Sequence, residues 1–175
     1  GLYKTQHNGN EPPADESDLD WMQWRVDLLN DFAHRLYDSV KVVDPACVVS
    51  SAPHPYSWGL PEYLQDWRPW IENGYIDMVH PQLYRKESSG IYSYQSILSS
   101  SAYAAGENKD LFFPGMLFML GNYMPSNEFL ADMLMYNREK GVNGEVLFYS
   151  EGLKFRKDIL KAFYPAPAIF PTLDK

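Results

Sequence analysis

Four short apolar runs recur along this chain, centred near residues 49, 78, 113 and 146. They are Cys47–Ala52, Ile76–Val79, Leu111–Leu117 and Val142–Tyr149. Runs of this kind fill strands that are buried on both faces of a parallel sheet. Their spacing leaves room for one returning helix between each pair, the length of a βα module. The intervening segments carry helical signals. Ser17 or Asp18 can cap a helix whose apolar positions Trp21, Leu28, Phe32, Leu36, Val40 and Val43 form one face, and Asp44-Pro45 stops it. Glu62–Asn73 is a helix carrying Leu64, Trp67 and Ile71 and closed by Gly74. Ile91–Ala105 is the third helix. Ser126 can cap a fourth, which runs to Lys140 with Leu130, Met133, Leu134 and Tyr136 among its apolar positions. Leu153–Phe163 is the last.

The remaining segments read as connections. Residues 1–17 contain Asn8-Gly9-Asn10 and Pro12-Pro13 and form a long loop. Pro53–Gly59 is a loop stiffened by its prolines. Residues 164–175 form a Pro-rich tail that packs along the outside. The expected class is therefore α/β, with parallel strands alternating with helices and right-handed crossovers. Four such strands make an open sheet or half of an eight-strand barrel.

Charge and motifs exclude several functions. The chain carries 15 Lys and Arg against 23 Asp and Glu, a net charge of −8. That balance argues against a nucleic-acid backbone or an anionic membrane as partner. No apolar run reaches the length of a membrane span. No glycine-rich phosphate loop follows a strand, so nucleotide binding lacks support. No H-E-x-x-H and no Cys/His cluster supports a metal site, and nothing indicates an organic cofactor. The G-x-S-x-G elbow of hydrolases is absent. The single Cys47 sits in an apolar run and reads as a small core residue.

The polar groups that remain gather at strand ends. Ile76–Val79 runs into His80-Pro81-Gln82-Leu83-Tyr84. In parallel α/β sheets, ligands and chemistry collect at the carboxyl ends of strands. His80, Gln82 and Tyr84 are thus candidates to contact a substrate, with His54 and Trp58 of the preceding loop as a neighbouring subsite. Asp77 lies early in its strand and reads as structural. The 13 Tyr and 5 Trp suit carbohydrate, whose ring faces are apolar and whose rims carry hydroxyls. For any one ring, packing between helix and sheet is the commoner role.

A family resemblance adds to this reading. The run Asp20–Val26 through Leu36–Lys41 resembles the helix after the fourth barrel strand in the glycosyl hydrolase-like 10 family. Trp70-Ile71-Glu72-Asn73-Gly74-Tyr75-Ile76-Asp77 leads into His80-Pro81-Gln82-Leu83-Tyr84, similar to that family's W-L-x-x-G-x-[LI]-D-x-x-x-P-Q-[LI]-Y pattern. Gly144–Leu153 resembles its final strand and turn. The chain departs from the pattern where Ser51-Ala52-Pro53-His54-Pro55 replaces I-S-P-F-G and where Arg85 stands in place of a common Trp. The resemblance implies a TIM-type barrel acting on polysaccharide or cell-wall glycan, often at the cell surface. It also implies that residues 18–163 supply the second half of the barrel, about four βα units. The family's acidic fourth-strand motif would then lie upstream of Gly1.

Glycoside hydrolysis generally uses two carboxyl groups about 5 to 9.5 Å apart. At the expected strand ends this chain offers Glu151 and, less well placed, Glu87. Glu151 is the candidate catalytic carboxylate; alternatively it only adds charge at the start of the last helix. Three functions stay open: a glycoside hydrolase, a non-catalytic carbohydrate-binding module, and a half-barrel that pairs its bare strand edges in a homodimer.

Overall fold

The structure is a computed structural model, described for residues 1–169. The chain opens with a short helix, α1 (Leu2–Gln6), inside the segment expected to be loop. Five residues carry no helical periodicity, so only tertiary contact shows this helix. Tyr3 stacks on His7 at 3.7 Å and meets Trp21 and Trp24 of the next helix edge-on, each at 5.1 Å. Trp24 also donates its indole N–H to Gln6.

Helix α2 (Leu19–Val43) is capped by Asp18, whose carboxylate accepts the Trp21 amide at 2.9 Å. Its inward face differs from the expected one. Val26, Leu29 and Ala33 meet the core, whereas Phe32, Leu36 and Val43 remain exposed. The helix is apolar on more than one side, and periodicity alone favoured the larger residues.

Strand β1 (Ser50–Ser51) follows. The expected loop and helix after it are instead two helices, α3 (Tyr56–Tyr63) and α4 (Trp67–Glu72). Leu64 separates them in a left-handed conformation with φ 60°. The fold-back is held at His54, whose amide donates to the Gln65 side chain and whose carbonyl accepts the Trp67 indole N–H. A Cβ at Gly59 would come within 3.1 Å of the His54 Cβ, so a larger residue would need His54 to shift by a few tenths of an ångström.

Strand β2 (Met78–Val79) leads through a short 3-10 turn, Glu87–Ser89, to α5 (Ile91–Ala105), which matches the expected range. Then come β3 (Gly115–Leu117) and α6 (Asn127–Glu139), capped by the Ser126 hydroxyl as expected. Strand β4 (Val146–Phe148), a 3-10 turn (Ser150–Phe155) and α7 (Lys157–Phe163) complete the order. The last expected helix is therefore split in two. Residues 170–175 of the Pro-rich tail lie outside the described residues.

The strands pair in parallel, as expected. Ser50 faces Met78 and Ser51 faces Val79. Gly115, Met116 and Leu117 face Val146, Leu147 and Phe148. Parallel bridges at Val79–Phe112 and Gln82–Gly115 join the two pairs, so strand order follows chain order. The result among the described residues is an open row of four strands; no barrel closes. Helices α4, α5 and α6 cover one face of the row with Trp67, Trp70, Leu98, Leu130, Met133 and Leu134. Cys47 is exposed rather than in the core, because it precedes the paired part of an edge strand.

Asp77 behaves as its position implies. It is 4% exposed and accepts the Tyr37 hydroxyl at 3.0 Å, the Val49 amide at 2.8 Å and the Lys41 ammonium at 2.9 Å. One carboxylate thus ties α2, β1 and β2 together. The hydrogen bond from Lys41 raises that lysine's pKa above its ordinary value.

Candidate functional site

Beyond the carboxyl ends of β1 and β2 lies a cleft of about 490 Å³. His54, Trp58, Gln82, Tyr84 and Arg85 line it, together with Ser57, Ser93, Ser96 and Ser100. The parallel pairing puts β1 and β2 side by side, so the residues that follow each strand meet. Gln82 seals this junction. Its backbone amide donates to the Pro53 carbonyl at 2.9 Å and its side-chain amide to the Ala52 carbonyl at 2.6 Å.

The aromatic wall has its own geometry. His54 lies 4.6 Å from the Trp58 ring and 4.5 Å from the Tyr63 ring. Trp58 remains about half exposed, with a ring available to a ligand. Tyr84 stacks on Phe148 at 5.0 Å, linking the end of β2 to the end of β4. Partial burial raises the Tyr84 phenol above its ordinary pKa, so it stays protonated at neutral pH and can donate. Such a mixture of rings, amide and hydroxyls makes a concave site with few but directed polar groups.

Four of the six expected site residues come together here: His54, Trp58, Gln82 and Tyr84. The other two lie elsewhere. His80 sits on the face of the strand row opposite α4, α5 and α6, beside Ser50, Met78, Phe113 and Val146. Its Nδ1 lies 3.2 Å from the Phe113 carbonyl, and burial pushes its pKa below the ordinary imidazole value despite that bond. Glu151 is exposed on the turn after β4 and pairs with Lys154 at 2.7 Å. That contact holds the Glu151 carboxyl below its ordinary pKa. Glu87, the weaker carboxylate candidate, accepts the Ser126 amide and hydroxyl at the start of α6, and these hydrogen bonds lower its pKa.

Sequence reasoning missed Arg85 and the serines of α5. Ser93, Ser96 and Ser100 recur at helical spacing on one face, a pattern that could have flagged them. Arg85 donates Nε–H to Ser93 at 2.9 Å and an Nη1 hydrogen to the Tyr84 carbonyl at 2.9 Å. Among the described residues, no group of three or more His, Cys, Asp or Glu side chains could hold a metal ion. No helix among them is long and apolar enough to cross a membrane.

Residues 1–108 match the family model described as Glycosyl hydrolase-like 10. The chain belongs to this family. The glycosyl hydrolase-like match covers α1 to α5 and both strands that build the cleft. A solved structure of the same general architecture is the PgaB (BpsB) glycoside hydrolase domain from Bordetella bronchiseptica, at TM-score 0.68 and 16% identity. The alignment covers 91% of this chain and 49% of that one, so the chain spans about half the length of the solved domain. At that identity the likeness concerns the fold. No curated protein matches the sequence.

Proposed function

We propose that this glycosyl hydrolase-like 10 chain supplies the C-terminal half of a TIM-type barrel that hydrolyses polysaccharide or cell-wall glycan. The observation that carries the reading is the cleft beyond the strand ends, where Trp58 and Tyr84 offer sugar-binding rings and Gln82 and His54 offer polar edges. The open strand row supports the half-barrel part. Val48 at one edge is 42% exposed, and Val146 and Phe148 at the other are 40% and 39% exposed, an apolar face that further strands would cover. The match to about half of a glycoside hydrolase domain supports the same reading.

In this proposal His54, Trp58, Gln82 and Tyr84 bind substrate, and His80 orients groups on the inner face of the strands. Glu151 acts in its ionised form, as base or nucleophile or as acceptor for a sugar hydroxyl. A general acid needs a raised pKa, and the Lys154 pairing works in the opposite direction. The leaving-group acid then comes from the other half of the barrel. The test is polysaccharide cleavage by the protein and its Glu151→Gln variant. A loss of about a hundredfold or more fits the role; an unchanged rate removes Glu151 from it.

A second reading has one observation in its favour. Among the described residues, no carboxylate lines the cleft. A carbohydrate-binding module without catalysis would bind the same glycans through Trp58 and Tyr84 and release no product. A third outcome is a homodimer that pairs the bare strand edges, which light scattering during size exclusion would detect as doubled mass.

A further inference from the structure

We infer that the cleft selects a glycan bearing a carboxylate, with Arg85 as the group that recognises it; this rests on the glycan-binding reading above. A guanidinium carries five N–H donors. Arg85 uses one on Ser93 and one on the Tyr84 carbonyl. Those two bonds fix the plane of the fork. The remaining donors have no protein partner among the described residues, and no carboxylate of those residues pairs with Arg85.

The rest of the lining agrees. Among the described residues, Arg85 is the one Lys or Arg lining the cleft and no acidic side chain lines it, although acidic residues outnumber basic ones in the chain by 23 to 15. Ser57, Ser93, Ser96 and Ser100 add small hydroxyls that can donate to an anion or to sugar hydroxyls without filling the space. An Arg fork in a partly desolvated site matches a carboxylate in shape and charge. Trp58 in the same cleft supplies a face for the sugar ring. The net charge of −8 repels long polyanions at a distance, but screening in physiological salt confines that repulsion to about 8 Å. Within the cleft, the nearest charge dominates.

The test is a glycan array that carries oligosaccharides containing uronic acid beside their carboxyl-reduced counterparts. The protein is compared with its Arg85→Gln and Arg85→Lys variants. The inference expects the uronates to bind about tenfold more tightly than their reduced partners, and added salt to erase the difference. It expects Arg85→Gln to lose that preference, its affinity for uronates falling about tenfold further than its affinity for the reduced forms, with Arg85→Lys in between. Thermal unfolding of each variant checks its fold. If Arg85→Gln fails to fold, the salt dependence and Arg85→Lys still decide. Equal binding of acid and reduced forms, or equal losses for both in the variants, would overturn the inference and leave the glycan-binding reading intact. An array on which no glycan is bound would overturn both.

Discussion

Gln82 donates its side-chain amide to the Ala52 carbonyl at 2.6 Å and so locks the floor of the cleft across the ends of β1 and β2. The amide oxygen has no hydrogen-bond partner among the described residues and is left for a ligand. Gln82→Ala removes both functions. The expected result is a loss of roughly 0.5–1.5 kcal/mol in stability and about tenfold in glycan affinity. Urea titration and calorimetric binding measure the two separately. Lost stability with unchanged affinity would make Gln82 purely structural.

His80 gives a pH dependence with a definite sign. Burial lowers its folded-state pKa below the ordinary imidazole value, against the opposing bond to Phe113. The unfolded chain then binds the proton first as pH falls. Stability from this residue is present above about pH 6.5, declines below it, and is lost as pH passes through the folded-state pKa. Urea unfolding from pH 7 downward should show this decline, and His80→Gln should flatten it. An imidazole NMR midpoint at or above the ordinary value would refute the assignment.

The tie at Asp77 should be among the costliest to cut. Asp77→Ala removes the carboxylate partner of the Lys41 ammonium, strips the Val49 amide of its acceptor and leaves the Tyr37 hydroxyl without this one. The expected loss is about 2–4 kcal/mol, read from the denaturation midpoint. A change under about 0.5 kcal/mol, typical of a surface site, would contradict the role.

Deeper in the core, the Tyr94 hydroxyl donates to Asn137 at 2.7 Å. Asn137 also donates to Glu145, which forms a two-pronged pair with Arg138 at 2.7 and 3.0 Å. Tyr94→Phe deletes one end of this chain and should cost about 1–3 kcal/mol, because the Asn137 oxygen is left buried without that donor. Burial also raises the Tyr94 pKa, so the phenol should remain neutral in alkaline titrations that ionise exposed tyrosines.

The alternation of strands and helices was legible because four apolar runs stand at module spacing, and the caps Asp18 and Ser126 because their side chains satisfy local amides. Helix α5 was legible despite its serines, and those serines then proved to line the cleft. What escaped depended on distant contacts. Helix α1 exists through Trp21 and Trp24, and the break between α3 and α4 through His54, Gln65 and Trp67. Four of the cleft residues could be named because they lie in the segments that follow β1 and β2. Arg85 could not, since its value depends on Ser93 holding its fork in place and on no carboxylate among the described residues pairing with it.

Trp58 offers the most direct test of the cleft as a glycan site. It is half exposed, so its removal should leave the fold intact. The measurement is calorimetric titration of polysaccharide fragments into the protein and into Trp58→Ala. The account predicts binding that falls about tenfold or more in the variant, with an unchanged unfolding midpoint. Equal affinity in the two proteins, or no binding in either, would contradict it.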